Sequence, residues 1–550
     1  MPTQKITFTE WLPDQPGLAN ALMEAKNVVA QQIGYGPMKE AMSISDQTSD
    51  LTLSALYAAK EPSGDTILFA AGDNKVYTVS GVGNLTDLWY FTGTYSQSGT
   101  TITVTSNDHK LKNGQSIYLN FTSGTATDDD FFVTYIDADT FSVTASVSAT
   151  TSGNVNIQVT ADGYSAQSRV RFTQFGKNII FTNNEQPLQS YILGESDAFR
   201  NLSDDAPIAK YITVVRDFVV VANVKDGSEQ LQYRVQWSDL NDETTWTYAD
   251  YKQTDFQDLP DGGQIVGIRG GEFGLVLLER AIYRMSYVGT PFIFQFDNIS
   301  RGKGCISAGS IAQYQGVTFF LSDDGFYMCD GQTVTPIGAE KVDRWFFGLV
   351  DESNLSNMSA AVDPITKTII WNFTTNNGTY AQLIYSFKVA KWTYADMQVD
   401  YVSDASSSAV TLEELDDIST SIDLLPLSLD SINYIGGRFF LGATKSGMVY
   451  SFTGVNTTGE LVTGDLDLGG NSLVTLARPH IDGGSADVAV ASRRLLSDAI
   501  TYTNDVSADS ENRVSLRSAG RYHRIRVRPT GDDWKHAVSV DIDVTGQGVR

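Results

Sequence analysis

The chain has 550 residues, 41% of them hydrophobic and 11% aromatic, with 39 basic against 65 acidic side chains and a formal net charge of −26. That is enough apolar material for a large core or several domains, while the charge argues against a DNA-reading protein, which grips phosphates through a basic surface. No apolar run approaches bilayer-spanning length, so no membrane partner is expected, and the opening MPTQKITFTEWLP lacks a signal peptide's apolar core.

Residues 1–40 read as an N-terminal arm. Trp11-Leu12-Pro13-Asp14-Gln15-Pro16 is extended and fixed by its prolines, and the Ala-rich, breaker-free stretch 20–32 predicts a short helix that ends at Gly34-Tyr35-Gly36-Pro37. An arm of this kind packs along another element or another subunit.

From residue 41 the chain turns to short strands. The unit at 316–338, GVTFFLSDDGFYMCDGQTVTPIG, is an apolar β-branched and aromatic run, an Asp-Gly turn and a second apolar run, hence an antiparallel hairpin covered on both faces. Variants occur at 65–80, 177–193, 217–235, 272–287, 367–387 and 438–452, seven units in all. Most neighbours are separated by about 40 to 50 residues, the length of a propeller blade. A four-stranded sheet cannot bury both faces alone; repetition around an axis solves that and leaves only short edges. The fold class is therefore all-β: a β-propeller body at 41–95 and 161–455, an inserted small β-domain at 96–160, and a β-sandwich or barrel at 456–550.

The insert is rich in Ser and Thr and alternates clearly at 101–105 and 140–144. One convincing helix is expected over 339–350, AEKVDRWFFGLV. A long acidic and apolar excursion at 402–435 breaks the blade rhythm. The terminal domain is nearly neutral and holds ten of the 21 arginines. Cys305 and Cys329 are the only cysteines, both in apolar strand-like segments, which predicts buried free thiols rather than a disulfide framework.

Several stretches together resemble the nozzle, or tail tubular, proteins of short-tailed bacteriophages. They are Trp11 to Pro16 with Lys26-Asn27-Val28, Trp237-Ser238-Asp239-Leu240-Asn241-Asp242 before Thr245-Trp246, the run 411–417 with 428–431 and Gly436-Gly437, and Gly520-Arg521-Tyr522-His523-Arg524-Ile525-Arg526-Val527. The resemblance covers most of the chain and implies a propeller in a ring of usually six copies, below a portal and adaptor ring, around a channel that retains packaged DNA and releases it at infection. Its partners would be further copies of itself, the adaptor ring above, tail fibre or spike proteins, and passing double-stranded DNA without sequence-specific contacts. Its location would be the virion tail, and the host cytoplasm before assembly. Acidic channel walls would let DNA slide.

The rival reading is a propeller-type tail component that binds or degrades a host surface glycan. Ser238 to Trp246 is close to the Ser-x-Asp-x-Gly-x-Thr-Trp turn of sialidase-like propellers, but it lacks the glycine, occurs once, and is a folding turn wherever it is found. The four histidines, His109, His480, His523 and His536, show neither metal spacing nor a Ser-His-Asp pattern. Asp128-Asp129-Asp130 lacks the spaced ligands of a calcium loop, and Gly262-Gly263 and Gly270-Gly271 read as turns rather than a phosphate loop. No catalytic residue, cofactor or metal is expected. On the strand around 521–528, Arg524, Arg526 and Arg528 share one face and His523, Ile525 and Val527 the other. Three like charges in a row repel unless acids face them, and those acids belong either to a subunit or tail partner or to the domain itself, the third reading being a solvated edge. The arginines, with Trp11, Pro13 and Asp14 of the arm, are the candidate contacts to a partner.

Overall fold

The computed structural model describes residues 3–45, 52–72, 75–81, 83–88, 90–158, 169–196, 198–406, 415–416, 419, 421–425 and 439–547. Within them, seven four-stranded antiparallel blades succeed one another, six as separate sheets and one as the end of a larger sheet. Blade 1 is Leu53–Lys60, Thr66–Gly72, Val76–Val79 and Leu85–Asp87. Blades 2 to 6 span 171–201, 208–258, 265–301, 312–336 and 359–395. Blade 7 takes Tyr401–Ser406, Phe439–Lys445 and Met448–Ser451 from late in the chain, and Met42–Ser43 from its beginning. Each of the seven sequence units is the middle hairpin of one blade, because the Gly/Asn/Asp turns that make those hairpins visible join the second and third strands.

The ring is closed by contacts among the first and second strands and the links between blades. Gln174 exchanges hydrogen bonds with the Lys60 backbone between blades 1 and 2, and the Thr182 hydroxyl donates to the Ala209 carbonyl between 2 and 3. The Gly271 amide donates to Val214 O (3.0 Å) between 3 and 4, and Arg269 Nη2 donates to Ile311 O (2.6 Å) between 4 and 5. Trp371 Nε1 donates to Ser310 O (2.8 Å) between 5 and 6, and the Val402 amide to Ser359 Oγ (3.0 Å) between 6 and 7. Between blades 7 and 1, Thr444 Oγ1 donates to Leu53 O (2.7 Å) and Ser403 Oγ to Leu56 O (3.0 Å). Apolar layers fill the spaces between neighbouring sheets. The blade 3–4 junction requires Gly270: a Cβ there would stand 1.9 Å from Val214 O.

The insert is a five-stranded sheet built on two long paired strands, Tyr90–Thr105 and Thr140–Gln158, so it begins several residues before 96. Its core holds Phe91, Ile102, Val104, Phe141 and Val155. Lys112 donates to the Asp204 carbonyl and Asn201 Nδ2 to Lys110 O (3.1 Å), so the insert is seated on blade 2. The expected helix is the shorter α1, Asp343–Leu349. Most of the excursion at 402–435 lies outside the described residues, and so do 411–414, 417, 428–431 and the Gly436-Gly437 pair.

The expected helix at 20–32 is not formed. Leu22–Lys26 and Val28–Ala30 are strands, separated by Asn27 at φ 54°. Leu22–Lys26 lies between Glu460–Thr463 of the terminal domain and Lys391–Ala395 of blade 6, and sheet edges on both sides outweigh the local helix preference of Ala, Met and Glu. The result is a 14-stranded sheet running from blade 6 through the arm into the terminal domain, whose long strands are Leu466–Asp482, Ser485–Arg493, Val514–Thr530 and His536–Gly546. The apolar layer between blades 5 and 6 continues into the terminal-domain core.

Thr444→Val tests the closure. It keeps shape but strips the Leu53 carbonyl of its buried donor, and the expected loss is about 1–3 kcal/mol in denaturant unfolding, against little change for an exposed Thr→Val control.

Candidate functional site

The six residues singled out as contacts belong to the seam between arm, blade 6 and terminal domain. Trp11 is fully buried and meets Trp345 edge-on at 5.0 Å and Tyr394 at 5.1 Å, its indole N–H donating to Met23 O (3.0 Å). Asp14 accepts from the amides of Arg344 (2.9 Å) and Trp345 (2.8 Å). It thereby caps α1 from a distant part of the chain, where the local N-cap, Val342, offers no side-chain acceptor. Pro13 lies half-buried beside it.

The arginines point to acids of their own chain. Arg524 makes a two-pronged contact with Asp465 (2.8 and 3.0 Å), which Arg493 also engages. Arg526 pairs with Asp505 (2.9 Å), and Arg528 with Asp505 and Glu460 (both 2.6 Å). Of the readings open for the arginines, ion pairs within the domain are the ones formed, and a side chain buried like Trp11 cannot be offered to a partner. Burial works against the Asp465 charge, but Arg524 and Arg493 outweigh it and hold the carboxyl below its usual range. On the opposite face His523 is buried between Ser472 Oγ (2.9 Å) and Ser492 Oγ (2.7 Å), and burial pushes its pKa down. At the same seam, burial and the neighbouring Glu460 raise Glu24 to about 7, opposed by Lys26 and Arg526.

Ser238 to Trp246 is a closed turn. Asp242 accepts from Thr244 N (3.0 Å), Thr244 Oγ1 (2.6 Å) and Thr245 Oγ1 (2.8 Å), and Trp246 is buried. Cys305 and Cys329 are buried free thiols, and burial pushes Cys305 up to about 11.

A second place was not visible in the sequence. The second-to-third-strand turns and the links between blades share one face of the propeller, and on that face a cavity of about 840 Å³ opens between blades 2 to 6. Arg169 and Arg171 line it from blade 2, Lys210 from blade 3 and Arg280 from blade 4. Arg269 lies close enough for Arg171 to bear on its charge. Arg169 donates to Met358 O (2.5 Å) and lies over the Tyr401 ring (5.1 Å); Arg171 lies over Tyr211 (4.8 Å). Burial, then Arg171's like charge, pushes Lys210 and Arg269 below their usual ranges. Of the lining acids, Glu185 pairs outward with Lys225 (3.7 Å) and Asp323 with Lys303 (3.3 Å), while Glu279 accepts from Gln264 (2.8 Å). The sequence signal was Arg169-Val170-Arg171 entering a first strand, which means nothing until five blades are brought together.

No family model matches this chain, and no curated protein matches it in sequence. Among solved structures it is similar to the WD40 domain of Pan2 from Neurospora crassa (9% identity, covering 64% of this chain and 88% of that one, TM-score 0.28). It is also similar to a putative 6-phosphogluconolactonase from Bacteroides fragilis (12%, 65% and 98%, 0.29) and to an exo-β-1,3-galactanase from Phanerochaete chrysosporium (9%, 68% and 95%, 0.25). The blade order and closure contacts above define the propeller without them.

Two outcomes test the seam. Trp11→Ala should cost about 3–5 kcal/mol in chemical unfolding, as for a fully buried aromatic. A carboxyl whose folded pKa is raised favours the fold below its unfolded pKa and loses that contribution as pH rises through the folded value. Stability should therefore fall between about pH 4.5 and 7 through Glu24, and Glu24→Gln should flatten that part of the thermal-midpoint profile.

Proposed function

We propose that this chain is a structural subunit of a short-tailed phage tail: a copy of a cyclic, six-membered nozzle ring below the portal and adaptor, retaining packaged DNA and giving it a path out. Its work is mechanical, not catalytic. The observation that carries this reading is the sheet that runs unbroken from blade 6 through the N-terminal arm into the terminal domain. It makes propeller and terminal domain one body, as a ring subunit under the pressure of packaged DNA needs. The stretches Trp11 to Pro16 and Gly520 to Val527, which carry the family resemblance, lie in that seam.

Head-to-tail contacts that close on themselves produce such a ring. A place for them is offered by exposed apolar side chains on the face opposite the cavity, Tyr248 and Tyr251 of blade 3 and Val288 and Phe292 of blade 4, with Tyr251 86% and Phe292 77% exposed. The adaptor ring above, fibre or spike proteins and passing duplex DNA would be the other partners, and the virion tail the location.

A second reading, glycan binding, is favoured by a groove of about 390 Å³ on blade 3, where the exposed rings of Tyr248 and Phe256 flank Arg234 and Asp255. Ring planes beside charged hydrogen-bonding groups suit a sugar.

Native mass spectrometry of the purified chain with its portal and adaptor should give a six-membered ring. Tyr251→Ser combined with Phe292→Ser should leave the subunit folded and reduce ring population about tenfold or more. Monomers under all conditions, with saturable binding to host polysaccharide, would replace the ring with the glycan reading.

A further inference from the structure

The axial cavity carries an inference independent of the ring. We infer that it is a binding site for a small, multiply charged, phosphate-bearing anion, held by Arg171, Lys210 and Arg280 with Arg169 and Asn183 beside them.

The first support is the direction of the charge. The chain carries 26 more acids than bases, yet at this one place cations from three blades converge. None of Arg169, Arg171, Lys210, Arg269 and Arg280 has a carboxylate within ion-pair distance among the described residues. Of the cavity's three acids, Glu185 and Asp323 pair with Lys225 and Lys303, and Glu279 accepts from its lining neighbour Gln264. Like charges gathered without ion-pair partners of their own cost stability. A bound anion removes that cost.

The second support is an orphaned donor. Asn183 lines the cavity and is 2% exposed. Its Oδ1 accepts from the amides of Glu185 (3.0 Å) and Gln186 (3.1 Å), which fixes the side chain, while its Nδ2 has no acceptor. Buried donors are almost always satisfied, and one left open at a cavity wall marks the place of an acceptor.

The third support is size and donor type. A cavity of about 840 Å³ lies in the range of small-molecule sites. Two guanidinium forks, an ammonium and an amide N–H from three blades surround a tetrahedral, multiply charged group better than a planar carboxylate, which one fork satisfies. Arg171, stacked on Tyr211, and Arg169, tied to the Met358 carbonyl, are held in place before any ligand arrives.

The test is calorimetric titration of the full chain with pyrophosphate at low ionic strength, with potassium chloride as the ionic-strength control and citrate as a carboxylate of comparable charge. Saturable binding of one pyrophosphate per chain is expected, with citrate about tenfold weaker or worse. Arg171→Gln with Lys210→Gln should weaken pyrophosphate about tenfold or more and, without ligand, should raise the thermal midpoint or leave it unchanged. Arg280→Gln, which changes only an exposed side chain on the blade 4 turn, should weaken binding severalfold and carries the comparison if the double variant does not fold. Absence of saturable binding at millimolar pyrophosphate, equal affinity in the variants, or citrate binding as tightly as pyrophosphate would overturn the assignment.

Discussion

Seven sheets can bury their faces only if the last meets the first. That closure is the constraint on which the rest depends. The chain reaches blade 7 with three strands and completes it with Met42–Ser43 from its beginning. Blade 7 is then held to blade 1 through Thr444 and Ser403, whose hydroxyls reach the Leu53 and Leu56 carbonyls. Because the start of the chain is committed to the end of the ring, the arm before it must cross the outside of blade 6. There it finds two open sheet edges and becomes the strand that joins them.

The joint explains the charged residues around it. Arginines on a strand that faces solvent need acids, and Asp465, Asp505 and Glu460 face them from adjoining segments of the terminal domain. The arm is locked by other means: the buried indole of Trp11, and the Asp14 carboxylate at the start of α1. At Glu24 and Glu460 carboxyls crowd each other in the seam, and the burial of Glu24 makes that place sensitive to pH near neutrality.

The middle hairpins of all seven blades were legible in the sequence because turn residues such as Asp324-Gly325 and Lys445-Ser446-Gly447 punctuate apolar runs at close range. The first strands, which line the axis, were not. Strands such as Ala312–Tyr314 and Ser359–Asp363 are short, and besides their own hairpin partners they pack against the first strands of neighbouring blades. The stretch 20–32 misled for a related reason: its composition suits a helix, and only the two waiting edges make it strand. Alternation placed Arg524, Arg526 and Arg528 on one face correctly, but alternation cannot say whose acids they meet. The axial cavity was illegible in principle, since Arg171, Lys210 and Arg280 are separated by whole blades and acquire a joint meaning only when the ring brings them together.

The functional reading rests on rigidity and on copies meeting in a ring, so stoichiometry in the particle bears on it most directly. Quantitative mass spectrometry of purified virions gives the copy number of this chain relative to the portal subunit. A nozzle ring of roughly six copies below a portal of about twelve gives a ratio near one to two. A ratio fitting trimeric spikes, or absence of the chain from the particle, would contradict the ring.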